Sequence, residues 1–162
     1  MHKARRLLEP LAGLTLALAC ALAPAWADEQ KQPGQNCWRD AARRYGVDPW
    51  LLYAIAKQES GLNPKARGVN TNGSYDIGLM QINSSHLPLL SKFGIEEQHL
   101  YDPCVSIHVG AWILGGNLRR MGNNWVAVGA YNAKSHDKRV GYAWKIFNRL
   151  EDLQPSRTSG GK

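Results

Sequence analysis

The sequence predicts a mainly α-helical domain with at most one small β-hairpin, and three observations predict it. Asp-Pro occurs twice, at Asp48-Pro49 and Asp102-Pro103, each time opening an apolar run of helical length. An Asp side chain caps helix N–H groups, and Pro suits the first helical position because the N–H it lacks would have no partner there. Apolar residues recur at helical spacing through most of residues 37–153. The stretch dense in Asn, Gly and Ser, residues 63–76, is sized for a hairpin around Asn72-Gly73.

Each element follows in order. Residues 37–46 read as a first helix, with Trp38, Ala41, Ala42 and Tyr45 on one face and Gly46 as the stop. Asp48 and Pro49 start a second, which Gly61 ends. Residues 77–83, IGLMQIN, are apolar with two polar insertions, and Ser84 and Ser85 can cap a short helix through Phe93. After Asp102-Pro103, Ile107, Ala111, Leu114 and Leu118 share a face. Gly115-Gly116 inside that helix costs propensity, a cost that close packing of another element would explain. Asn123 or Asn124 can cap a further helix, WVAVGAYNA. Residues 134–139 are a charged connection, 140–150 a last helix, and 154–162 a tail disordered by composition.

The 162 residues are 44% hydrophobic and 20% charged, which fits one globular domain and excludes a disordered or collagen-like chain. The formal charge of +7 points to an anionic partner: nucleic acid, membrane or an acidic polymer. Basic residues are scattered, and no nucleic-acid motif, P-loop or dinucleotide fingerprint occurs. The five His show no ligand spacing, so neither a metal nor a cofactor is expected.

Residues 1–27 read as a secretory signal peptide. Lys3, Arg5 and Arg6 precede the apolar run from Leu11 to Ala23, and Ala25-Trp26-Ala27 fits a cleavage site. The run is short for a membrane span, although an uncleaved anchor is the alternative. Cleavage removes Lys3, Arg5, Arg6 and Glu9, lowering the charge by two to +5, and leaves residues 28–36 as a flexible lead-in. No stable membrane span then remains, and export argues against nucleic acid. Cys37 and Cys104 are the cysteines kept, which suggests one disulfide in an oxidising compartment, with two free thiols as the alternative.

Glu59 is the candidate catalytic residue. It lies seven positions after Leu52, roughly 20° away around the helix, with Ile55 and Ala56 flanking the same line. An acid is thereby set at the end of an apolar stripe. Burial there disfavours the carboxylate and raises its pKa, as a general acid near neutral pH requires. A Glu that snorkels to water is the bland alternative. Gln81 and Asn83 sit in an apolar segment, where side-chain amides need partners or a cleft, and Tyr131 and Asn132 end another apolar helix. Six Trp and six Tyr suit the stacking of sugar rings, although most belong to a core.

Three segments together resemble a known family. Glu59-Ser60 within AIAKQESGLNP, GLMQIN at 78–83 and AYN at 130–132 look like the three motifs of the lysozyme-like lytic transglycosylases. The subgroup they resemble is the small exported one accompanying type III secretion, conjugation or type IV pilus machines. The resemblance implies an α+β lysozyme-like fold over residues 37–153 with a substrate cleft. It implies a periplasmic enzyme without cofactor, and a peptidoglycan glycan strand cut between N-acetylmuramic acid and N-acetylglucosamine. It assigns the sole acid/base role to Glu59 and substrate binding or acid positioning to Ser60. Gly78, Leu79, Met80, Gln81 and Asn83 would line the cleft. Tyr131 would hydrogen-bond the acid, with Asn132 beside it. One departure stands out: family members often continue the third motif with Ala-Gly, whereas this chain has Ala133-Lys134.

Glycosidases commonly use two carboxylates. A lytic transglycosylase manages with one, because the muramic acid C6 hydroxyl attacks its own C1 and forms a 1,6-anhydro ring. Asp76 is the rival second carboxylate; acting with Glu59 it would make a hydrolytic muramidase. Its other reading is a loop-structuring Asx turn. A non-catalytic wall-binding component is a further alternative.

Overall fold

The computed structural model describes residues 35–154. Residues 1–27, expected above to be a signal peptide, and most of the expected lead-in and tail lie outside the described residues. Six α-helices and a small sheet make up the part that shapes the site: α1 (Gln35–Tyr45), α2 (Pro49–Ser60), β1 (Arg67–Val69), β2 (Tyr75–Ile77), β3 (Ile82–Asn83), α3 (Leu87–Leu90), α4 (Pro103–Met121), α5 (Trp125–Gly129) and α6 (His136–Leu153).

Both Asp-Pro starts perform as expected. Asp48 Oδ1 accepts from the N–H groups of Trp50 (2.7 Å) and Leu51 (3.1 Å), and Asp102 Oδ1 accepts from Val105 N–H (2.9 Å). Gly61 closes α2 at φ +63°, a left-handed conformation that costs glycine little. Asn124, not Asn123, caps α5 through Ala127 N–H (2.9 Å).

Four boundaries differ from the expectation. First, α1 opens at Gln35 rather than Cys37. Second, α5 is a five-residue helix ending at Gly129, so the third motif lies just beyond it. Third, α6 opens at His136, inside the charged connection, because exposed first-turn positions tolerate charge. Last, the segment after Ser84 breaks into short turns around α3, and its cap is Asn83, which accepts from Ser85 N–H (3.0 Å).

The hairpin gains a third strand. β1 and β2 pair antiparallel, with Arg67 opposite Ile77 and Val69 opposite Tyr75, and β2 also pairs β3 through Asp76 with Asn83. Gly78 makes this possible. Its φ is +73°, and a Cβ there would meet the Leu100 carbonyl oxygen at 2.1 Å. The chain therefore reverses inside IGLMQIN, and Ile82-Asn83 returns along β2.

Helix α2 runs through the core with Leu52, Ala54, Ile55 and Ala56 wholly buried. It packs with α1, α4 and α6. Ile107, Ala111 and Leu114 of α4 are buried as predicted, with Leu118 half-buried. Truncating one such large side chain to Ala costs about 2–5 kcal/mol. Gly115 explains its own presence: a Cβ would sit 2.6 Å from the Tyr45 carbonyl oxygen, where α1 ends against α4. Gly116 meets only the flexible Arg120 side chain, so the packing reason holds for Gly115 alone.

Cys37 and Cys104 are disulfide-bonded, joining α1 to the start of α4 across 67 residues. Loop-entropy reasoning gives about 4 kcal/mol for a closure of that length. Among the described residues no helix is long and apolar enough to cross a membrane, and no His, Cys, Asp and Glu cluster could hold a metal ion.

Candidate active site

Glu59 occupies the last turn of α2 and faces a cleft of about 670 Å3. The helix that buries Leu52, Ile55 and Ala56 delivers the carboxyl to the cleft, as the apolar stripe predicts. Burial pushes its pKa up to about 6; a hydrogen bond from Tyr142 pulls the other way, and the charge of Asp76 pushes it further up. The Tyr142 hydroxyl donates to Glu59 Oε1. Tyr142 is itself buried and faces that carboxylate, both of which hold its phenol far above the ordinary range and keep it a donor.

The bond to Glu59 that the resemblance implies for Tyr131 is thus made by Tyr142 instead. Tyr131 donates to the Met80 carbonyl (3.0 Å), tying the third motif to the second. The reason is positional. Tyr131 follows the short α5, whereas Tyr142 rides on α6, which packs along α2. Tyr131 still lines the cleft, with Asn132 beside it. Burial and then the nearby Glu59 charge hold its phenol well above the ordinary range.

The second motif divides into two layers. Gln81 and Asn83 line the cleft; Gly78, Leu79 and Met80 are buried and do not. Ser60 belongs with the buried layer. Its Oγ donates to the Leu79 carbonyl (2.7 Å) and accepts from Asn63 N–H (3.1 Å), clamping the second motif to the end of α2. Gln81 adopts φ +46°, a strained region for a side chain with a Cβ. Its amide holds the turn through Ala66 O (3.2 Å) and Gly78 O (2.9 Å).

Asp76 is held by amides. Oδ2 accepts from Asn70 Nδ2 (2.9 Å) and Oδ1 from Asn83 Nδ2 (2.7 Å). Ser74 Oγ is within 3.2 Å of Asn70 Nδ2 and 3.0 Å of Asn83 Nδ2. The carboxylate therefore ties β2 to β3 and to the β1–β2 turn, while lining the cleft near Glu59.

Three supporting residues escaped sequence reasoning. Tyr142 carried a usable signal: it stands on the apolar stripe of the last helix with Ile146, and a buried Tyr hydroxyl needs a partner. Ser106, wholly buried on α4, accepts from Met80 N–H (3.1 Å). Gly110 leaves room for Met80 Cε, which a Cβ would meet at 2.7 Å, and for the Tyr131 hydroxyl at 3.0 Å. Neither had a local signature. The Trp supply took another path, since no Trp of the described residues lines the cleft.

Comparison with known proteins gives the family of the chain. The profile described as "Transglycosylase SLT domain" matches residues 36–142. Invasion protein IagB of Salmonella typhimurium is 47% identical over 135 residues, covering 80% of this chain and 79% of that protein. Protein IpgF of Shigella flexneri is 44% identical over 119 residues, 70% of this chain and 78% of its own. X polypeptide of Escherichia coli is 36% identical over 129 residues, 75% and 76%. An inactive mutant of lytic transglycosylase Slt from Pseudomonas aeruginosa shares the fold, with TM-score 0.61 and 22% identity. The alignment covers 80% of this chain and a quarter of that longer protein. Three motifs around one cleft, a profile spanning them and relatives matched over most of their length lead to one conclusion: this chain belongs to the transglycosylase SLT domain family and is a lytic transglycosylase of lysozyme-like fold.

Proposed function

We propose that the chain cuts peptidoglycan glycan strands between N-acetylmuramic acid and N-acetylglucosamine and leaves a 1,6-anhydro end, with Glu59 as the sole acid/base. The observation that carries this is the half-buried Glu59 carboxyl, with a pKa pushed up to about 6 at the cleft wall and an O–H donor on Oε1. A group of that pKa is protonated often enough near neutral pH to act as an acid, and its anion is basic enough to act next as a base.

In the first step Glu59 gives its proton to the leaving glycosidic oxygen. The Glu59 carboxylate then takes the proton of the muramic acid C6 hydroxyl as that oxygen bonds to C1. No water is consumed, and the intramolecular nucleophile gains from proximity. Tyr142 holds Oε1, leaving Oε2 to face the substrate. Asp76 supports the one-carboxylate reading because both its oxygens already accept amide hydrogens. Gln81, Asn83, Tyr131 and Asn132 are the proposed substrate contacts; Ser60, Gly78, Leu79 and Met80 support the wall behind them.

Export through residues 1–27 into the periplasm, and local opening of the wall for a type III secretion, conjugation or pilus apparatus, complete the proposal. The relative named as an invasion protein favours that setting.

The test is mass spectrometry of purified peptidoglycan digested by the wild-type protein and by Glu59→Gln. Anhydro-muropeptides, lighter by one water than hydrolytic products, are expected from wild type alone. Reducing-end products would replace this mechanism with hydrolysis assisted by Asp76.

A further inference from the structure

The cleft holds two cations that the reaction above does not use. Lys134 lies two residues after the third motif, and Lys138 lies in the first turn of α6; both line the same cleft as Glu59 and Asn132. Both are exposed. Asp137, between them in sequence, is not part of the cleft lining.

Neither ammonium forms an ion pair with a described residue. The ion pairs among the described residues are Arg43 with Asp40 and Arg67 with Glu97, far from these lysines in sequence. The cleft's own carboxylates have other partners: Glu59 accepts from Tyr142, and Asp76 accepts from Asn70 and Asn83. The rest of the lining is mainly amides, hydroxyls and aliphatic groups.

A neutral sugar ring offers an ammonium group hydroxyl and carbonyl acceptors but no counter-charge. A peptidoglycan strand does carry anions, on the peptide stems attached to its muramic acid residues. We infer that Lys134 and Lys138 form a carboxylate-binding subsite for the peptide stem, which makes the enzyme favour strands whose stems carry free carboxylates. This rests on the peptidoglycan reading above and adds a specificity to it. The lysines act on binding and take no part in proton transfer, so their effect falls on KM rather than kcat.

Two soluble substrates test this: peptide-bearing glycan strands, and the same strands with their stem carboxylates converted to methylamides. Two solvated charge pairs predict a preference of about five-fold in kcat/KM for the first substrate at low salt. The preference falls toward unity in the Lys134→Gln, Lys138→Gln double variant, and for wild type in 1 M salt, where the Debye length is about 3 Å. The Lys134→Arg, Lys138→Arg variant retains it. Thermal melting checks that each variant is folded. Equal wild-type kcat/KM on native and methylamidated strands would overturn the subsite alone, as would an unchanged preference in the double Gln variant. Failure of wild type to cut either strand would overturn the parent reading, and the subsite with it.

Discussion

Tyr142, in the second turn of α6, donates its hydroxyl hydrogen to Glu59 Oε1 across 83 positions of sequence. The bond favours the charged form of Glu59, while burial and Asp76 oppose it. Tyr142 thereby both orients the acid and restrains its pKa.

Removing that hydroxyl has a signed consequence. In Tyr142→Phe the lowering influence is gone, so the Glu59 pKa rises above about 6. A general acid works protonated, so activity declines as pH rises through its pKa. The alkaline limb of the kcat/KM profile is expected to move to higher pH, while the maximum falls about ten-fold as Oε1 loses its anchor. A limb that stays put, or moves to lower pH, contradicts this account.

Tyr131→Phe separates the two tyrosines. It strands the Met80 carbonyl, an acceptor behind the cleft. The expected cost is about 1–2 kcal/mol in urea unfolding, with the alkaline limb where wild type has it. A limb displaced as in Tyr142→Phe would return the acid-orienting role to Tyr131.

Glu59 also makes stability depend on pH. Its pKa is raised on folding, from an ordinary 4.5 to about 6, so the native state binds more protons than the unfolded state across that window. Stability is complete below about 4.5 and declines as pH rises through about 6, by about 2 kcal/mol in total. Glu59→Gln removes that decline. Its thermal midpoint is expected to exceed wild type by several degrees at pH 7 and to match it at pH 4. Equal midpoints at both pH values would mean that the surroundings of Glu59 do not raise its pKa.

Ser106→Ala tests how α4 holds the second motif. The change leaves Met80 N–H without its acceptor in a fully buried position. Unfolding is expected to lose about 1–3 kcal/mol, and kcat to fall with it because Met80 carries the Tyr131 contact. Normal stability in urea would show that another group replaces the serine hydroxyl.

Reduction of Cys37–Cys104 should cost about 2–4 kcal/mol of stability. The bridge fastens α1 to α4, and neither cysteine lines the cleft. Activity on peptidoglycan at 25 °C is therefore expected to persist after reduction, while the thermal midpoint falls. Loss of activity in the folded, reduced protein would show that the bridge shapes the cleft.

The sequence alone determined whatever depends on neighbours along the chain. Asp48-Pro49 and Asp102-Pro103 start helices because a cap and a fixed φ act within three residues. Gly61 ends α2 for an equally local reason. Glu59 was legible as a candidate because seven residues of helical geometry align it with Leu52. Only the tertiary structure decided which tyrosine touches Glu59, because that depends on how α6 lies along α2. It also decided that Ser60, Leu79 and Met80 back the cleft rather than line it, since the reversal at Gly78 is set by the Leu100 carbonyl 22 residues away. Periodicity reports which face of a helix is buried; the partner on that face is fixed by packing between segments far apart in sequence.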